Sequence, residues 1–336
     1  MEALLSKLRE DTQWHWVKST EIERLENPSA LTFLRDYVAK NRPVILTGLP
    51  DVKRWSAMTE WKENDGIILS QGENEVRVNM TPSGFGDAVV DTEEHGEIFV
   101  KPHETKMQMS KFFRILSNPN EGVAYLSHQN DNLRLDFSNL MNQVGSQLDI
   151  SHEAFGNEPE AVNLWIGDER SVSSMHKDFY ENMYCVIRGE KVFHLLPPCV
   201  QPFLYEQEYQ EAHYVYETKS ESWKIELEEG SVPWSPIDPA VLIENADVYA
   251  IKYPLAGHLR ELIITANVRE GEVLYLPAMW YHRVTQSQLT VAVNYWHNMD
   301  FDFRWVYFSL LERMTALLGN LEGAEKEEAK ERIEST

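Results

Sequence analysis

Ser173-Ser174-Met175-His176-Lys177-Asp178-Phe179 is the stretch on which the reading of this chain turns. His176 and Asp178 stand two residues apart. On a strand, side chains at i and i+2 face the same way, so one imidazole and one carboxylate project together. A second imidazole follows 104 residues after Asp178 (282 − 178), in Gly271-Glu272-Val273-Leu274-Tyr275-Leu276-Pro277-Ala278-Met279-Trp280-Tyr281-His282. Two histidines and a carboxylate on one face of an octahedron leave three positions open, the set that suits non-haem Fe(II). A His-x-Asp pair alone is weak, because a strand histidine bonded to a neighbouring carboxylate gives the same pattern. Weight comes from agreement with Lys191, 15 residues after His176 (191 − 176) and just past the turn Arg188-Gly189-Glu190. A cation inside a barrel is costly unless it meets an anion, and a dicarboxylate cosubstrate would supply one.

The surroundings are β-rich. Short apolar or alternating runs recur at Val123–Leu126, Val162–Ile166, Tyr184–Ile187, Lys191–Leu196, Ile263–Val268, Glu272–Leu276 and Leu289–Trp296. Pro, Gly, Asn and Asp separate them, which points to an all-β barrel or sandwich. The triad then predicts a double-stranded β-helix with the three ligands inside its mouth. Gln207 to Gly257 is long, acidic and proline-containing. It reads as a loop-rich insertion anchored by Val232-Pro233-Trp234. Upstream, residues 1–120 read as mixed α and β: a helix capped by Ser29, a stop at Asn41-Arg42-Pro43, a buried strand at Val44-Ile45-Leu46, an alternating strand at Val76, Val78 and Met80, and a short helix around Phe112. Downstream, Phe303, Tyr307, Leu310, Met314 and Leu317 form a heptad seam. Further apolar residues beside that seam predict a second covered face, hence a homodimer; packing on the N-terminal half of the same chain is the alternative. The tail from Glu322 to Thr336 is polar and reads as frayed.

Charge narrows the ligand classes. With 31 Lys+Arg against 54 Asp+Glu, the net charge of −23 repels phosphate backbones and anionic lipids but accepts a basic peptide. Direct nucleic-acid binding and membrane association are therefore not expected. An aromatic share of 11% excludes disorder as a global description. At ~150 residues per domain, 336 residues allow about two domains, or one with large appendages. Two cysteines, Cys185 and Cys199, cannot build a disulfide framework or a four-cysteine zinc site. The N-terminus lacks the basic-then-apolar pattern of a signal peptide, and no window reaches the ~18 apolar residues of a membrane span. An intracellular location, cytoplasmic or also nuclear, is the expectation.

Several stretches carry a resemblance. They are Asn41-Arg42-Pro43-Val44-Ile45, Thr81-Pro82-Ser83-Gly84-Phe85, Asp87-Ala88-Val89, Ala161-Val162-Asn163-Leu164-Trp165-Ile166-Gly167 and His176-Lys177-Asp178-Phe179-Tyr180-Glu181-Asn182-Met183-Tyr184-Cys185. Gly189-Glu190-Lys191, Val232-Pro233-Trp234, Leu274-Tyr275-Leu276-Pro277-Ala278 and Val293-Asn294-Tyr295-Trp296 complete the set. Across nearly its whole length the chain resembles the jumonji-C family of 2-oxoglutarate oxygenases. The resemblance implies a mainly β fold: a jelly-roll, cupin-like core over 121–298, a mixed α/β region over 1–120 and a helical dimerisation region over 299–336. It implies iron held by His176, Asp178 and His282, with 2-oxoglutarate and O2 as cosubstrates. Lys191 would pair with the far carboxylate of 2-oxoglutarate, and Tyr125 would bond the same group. Ser173 stands where relatives often carry threonine, Asn294 near the metal end of the cosubstrate, and Tyr184 in the pocket wall. Taken from the residues alone, Tyr125 serves equally as a half-buried barrel tyrosine, Asn294 as a strand residue bonded to backbone, and Tyr184 as a packing aromatic. Asp168, Glu169 and Glu181 are candidate acidic contacts for a basic substrate. The resemblance further implies hydroxylation of a lysyl side chain in a GTP-binding protein of the developmentally regulated class. Rivals are an N-methyl-lysine demethylase with the same iron chemistry and a zinc-dependent hydrolase of basic tails. The hydrolase leaves Lys191 without a task, and a binding-only protein of this fold would be expected to lack a ligand.

Overall fold

In a computed structural model the described residues are 2–17, 19–72, 74–118 and 122–317. Eight strands between Ala161 and Asn298 make two facing four-stranded sheets. The larger runs Ala161–Gly167, Thr290–Asn298, Tyr180–Arg188, Val273–Leu276, all antiparallel neighbours. The smaller runs Val172–Lys177, Tyr281–Gln286, Glu190–Leu196, Ile264–Arg269. This alternation of the chain between sheets is the double-stranded β-helix the strand spacing predicts. N-terminal strands extend both sheets: Val44–Thr47 pairs beside Val273–Leu276, and Phe85–Gly86 pairs beside Val172–Lys177.

The strands of the larger sheet are buried on both sides, and their alternation sorts two cores. Met183, Cys185 and Ile187 pack outward with the N-terminal helices, in a cluster that includes Phe33, Trp61 and Phe112. Tyr184 and Val186 point inward, where Tyr184 meets Phe193 of the smaller sheet with ring centroids 5.0 Å apart. Such double burial explains why these strands read as continuous apolar runs rather than clean alternations. The expected Ser29 cap is present, its side chain accepting from the Thr32 amide.

Residues 207–257 depart from the loop-rich expectation. Gln207–Glu217 and Ser222–Trp234 form a long antiparallel hairpin that joins strands Gly96–Lys101 and Ala88–Thr92 in a separate sheet. Short helical turns follow, beginning with Pro239–Glu244. The hairpin escapes a period-two reading because a bulge between Gln210 and Ala212 shifts the buried set of Tyr209, Ala212 and Tyr214. Its outer face is acidic and solvent-exposed.

The last described element is the helix over 303–317. Phe308 is buried and Trp305 packs against the barrel. The seam faces away from the chain: Phe303, Tyr307, Leu310, Met314 and Leu317 are 48% to 68% exposed. Of the apolar residues beside the seam, Trp305 and Phe308 pack on the same chain, in the direction of the alternative, while the seam itself stays uncovered. The tail from Glu322, read as frayed, lies outside the described residues.

Candidate active site

His176 and His282 are partners in register across two antiparallel strands of the smaller sheet, so both imidazoles enter the barrel side by side. Their ring centroids are 4.2 Å apart. Each Nδ1 lies against the carbonyl of the residue two positions earlier, Ser174 at 2.7 Å and Trp280 at 3.0 Å. An Nδ1–H that donates there leaves Nε2 as the free lone pair, which is the atom a metal takes. The two Nε2 atoms lie 3.9 and 3.6 Å from Asp178 Oδ2. Asp178 sits one residue beyond the end of its strand and completes a three-residue group whose ligand atoms all fall within 4.8 Å of one another. Burial first, and the neighbouring His176 next, lower the His282 pKa to about 4. That imidazole is neutral at physiological pH, the form that binds a metal. Trp234, from the hairpin, stacks on the His176 ring at 5.8 Å and 6°.

A strained turn aims His282. Met279 has φ of 70°, rare for a side chain of its shape, and its amide donates to the Asp178 carbonyl at 2.8 Å. Two buried side chains hold this turn. Asn41 donates to the Ala278 carbonyl at 3.2 Å and accepts the Trp280 indole N–H at 2.8 Å. Glu181 accepts the Ala278 amide at 3.2 Å and the Tyr275 hydroxyl at 2.7 Å. Glu181 is therefore occupied, and burial raises its pKa; it supports the turn and is not a substrate contact.

The opposite end of the cavity is built around Lys191, fully buried and directly across from Gln286 in register. Its ammonium donates to the Tyr125 hydroxyl at 3.0 Å and to Gln286 Oε1. No carboxylate neutralises it among the described residues, and burial lowers its pKa to about 7. Lys191 stands behind Tyr125, which itself lines the cavity with Ser173, Tyr184, Asn294 and the triad. Gly167 makes room for the tyrosine: a Cβ there would lie 2.7 Å from the Tyr125 ring. Asn294 accepts from the Trp165 indole at 2.8 Å and donates to Asn182 at 3.1 Å. The Tyr184 hydroxyl is buried in the wall with no hydrogen-bond partner among the described residues. Asp168 is tied to Arg170 and its carbonyl takes the Gln286 amide, while Glu169 is exposed. Neither lines the cavity, so the acidic trio expected to meet a substrate is not assembled there.

A family model described as a cupin-like domain matches residues 29–303. The chain is 37% identical to "JmjC domain-containing protein E" of Dictyostelium discoideum, over 93% of each chain. It is 37% identical to "Bifunctional peptidase and (3S)-lysyl hydroxylase JMJD7" of Homo sapiens, over 87% of this chain and 88% of that protein. Identity to "Lysine-specific demethylase JMJ32" of Arabidopsis thaliana is 36%, over 88% of this chain and 87% of that one. The chain belongs to the jumonji-C family of cupin-like 2-oxoglutarate dioxygenases. The family's groups, Fe(II) and 2-oxoglutarate, fit the residues present. Two imidazoles and one carboxylate form the donor set this metal takes. At the far end a buried ammonium lacks an anion, and an orphaned Tyr184 hydroxyl waits in the wall between. Of the jumonji-C residues expected from sequence, the structure brings together His176, Asp178, His282, Ser173, Tyr125, Tyr184 and Asn294, with Lys191 behind them. Sequence reasoning missed Gln286, Asn41 and Trp234. Asn41 and Trp234 sat inside stretches already singled out, but as a helix stop and a loop anchor.

Proposed function

We propose that this jumonji-C dioxygenase hydroxylates a lysyl side-chain carbon in a protein substrate. The observation that carries the reading is the cavity itself: an open three-ligand centre, with a buried, unneutralised lysine behind the Tyr125 that lines its wall. When bound, the iron centre supplies coupling of 2-oxoglutarate decarboxylation to insertion of one oxygen atom from O2 into a C–H bond. The chain supplies placement. His176, Asp178 and His282 would hold the metal. Lys191 and Tyr125 would hold the far carboxylate of 2-oxoglutarate, and a charge-assisted bond of this kind contributes roughly 1.5–3 kcal/mol. Ser173 and Asn294 would border the cosubstrate, with Tyr184 closing the wall. Trp234 and Trp296 also line the cavity.

A lysyl target is supported by the activity for which the human relative is named and by the net charge of −23, which favours a basic partner. A GTP-binding protein of the developmentally regulated class is the substrate we favour. Demethylation is the second reading, favoured by the name of the plant relative; the peptidase activity in the human name is a third. We further propose a homodimer formed by the exposed seam of the 303–317 helix, acting in the cytoplasm and nucleus. Intact-mass analysis of candidate basic proteins with Fe(II), ascorbate and 2-oxoglutarate tests the activity. Gain of one oxygen atom per lysine supports hydroxylation. Loss of a methyl group with formaldehyde release supports demethylation, and backbone cleavage without 2-oxoglutarate supports the peptidase.

A further inference from the structure

A polar groove opens beside the catalytic cavity, and the two share Asn79, Asp87, Pro102, Ser127 and Gln129 in their walls. Asp87 therefore stands at the junction. Its backbone is fixed in the left-handed region, φ 52°, and its carbonyl accepts the Ser174 hydroxyl at 2.6 Å. The same hydroxyl receives the Trp234 indole N–H at 2.8 Å. This ties Asp87 to the residue two positions before His176 and to the aromatic that stacks on that ligand.

Its carboxylate is different. No hydrogen bond or ion pair reaches it among the described residues, and it is partly exposed where it lines both spaces. The charged groups that influence it are His176 and Lys101. Lys101 is engaged elsewhere, at 2.9 Å from Glu211 and in contact with Glu228. Farther along the groove Glu104 lies 3.5 Å from His128, and Glu228 lies 2.8 Å from His213. Carboxylates thus outnumber the single lysine along this path. A carboxylate in a recessed wall with no cation beside it is a ready partner for one arriving from outside.

We propose that this groove receives the substrate chain, and that the Asp87 carboxylate takes the ε-ammonium of the lysyl side chain entering the cavity. The assignment rests on the lysyl reading above and adds where the side chain enters and what selects it. The charge contact holds the ε-ammonium where groove and cavity meet, beside the residues that support His176. Neutral side chains of the same length gain nothing there.

Binding measured without turnover tests this, so its failure is separable from failure of hydroxylation. The protein is loaded with Mn(II) and 2-oxoglutarate in place of the active mixture. The probes are fluorescein-labelled peptides of arginine and alanine with one central lysine or, in the control, norleucine. Wild type should bind the lysine peptide at least about tenfold more tightly, the size of one charge-assisted contact. Asp87→Asn should bring the two peptides within about twofold of each other. Asparagine tolerates the left-handed backbone, so the variant is expected to fold. Should it not, Asp87→Glu replaces it, and its displaced charge should cut the discrimination several-fold. Equal binding of the two peptides by wild type overturns the proposal. So does full discrimination in the folded variant.

Discussion

The two faces of one strand pair, Val172–Lys177 and Tyr281–Gln286, are built on opposite rules. Inward, His176 faces His282, and their Nε2 atoms end in open cavity beside Asp178. Outward, their immediate neighbours Lys177 and Tyr281 also pair in register, and both find partners. Lys177 lies 2.6 Å from Glu206 and 3.2 Å from Glu312, and Tyr281 donates to Glu206 at 2.7 Å. The Lys177 ammonium also sits over the rings of Tyr281 and Phe308, the latter on the C-terminal helix. The inner face leaves lone pairs unsatisfied because a metal must take them. The outer pair is fully engaged, and it fixes the strand positions from which the ligands project.

Each face can be broken separately. The largest effect is expected inward. Asp178→Ala should lower turnover by more than about hundredfold, since even residues behind metal ligands cost 10–100-fold when lost. Its thermal midpoint should stay near that of wild type, because the change removes a charge rather than core volume. Outward, Lys177→Met should leave Glu206 and Glu312 opposed without their shared cation beneath the helix. Removing one partner of a buried pair costs about 3–5 kcal/mol, and the partial exposure of Glu312 places this case at or below the lower end. Denaturant unfolding reads that loss, and Fe(II) affinity should fall with it. An unchanged midpoint with unchanged iron affinity would show that the two faces are independent.

Lys191 sharpens the comparison, because it is an inward group that still awaits its ion. Burial has drawn its pKa down to about 7. Only the protonated amine meets a carboxylate, so cosubstrate binding above pH 7 must take up a proton. Affinity for 2-oxoglutarate should therefore decline as pH rises from 7, by up to about tenfold per unit. Calorimetric titration in two buffers of different ionisation heat checks the proton uptake. Lys191→Ala should raise the 2-oxoglutarate requirement by roughly 10–100-fold and abolish this pH slope. The smallest effect on chemistry belongs to the exposed seam. Leu310→Asp should shift the mass by light scattering from twice 39.1 kDa to 39.1 kDa, with turnover per chain retained. A wild-type mass of 39.1 kDa would remove the dimer.

The sequence was most legible where one residue type has one task. Lys191 in a strand asks for an anion, and the triad asks for a metal. The paired strands of the larger sheet were legible because double burial leaves few polar residues to interrupt their apolar runs. The hairpin at 207–234 was not, since a bulge breaks its period and its outer face is solvated. Asn41 and Glu181 were misjudged for a different reason. Their partners, Ala278 and Trp280 for one and Ala278 and Tyr275 for the other, lie about a hundred or more residues away in sequence. Gln286 is invisible without register, because its role exists only through facing Lys191 across two strands.

The central claim is that the open inner face activates O2 at the expense of 2-oxoglutarate and delivers oxygen to a lysyl carbon. Turnover of a basic protein substrate under isotopically labelled dioxygen, read by tandem mass spectrometry, tests it most directly. The account predicts one labelled oxygen atom on a lysine stem carbon, one succinate formed per modification, and neither product with Asp178→Ala. Oxygen drawn from water instead, or an identical product made by Asp178→Ala, would contradict it.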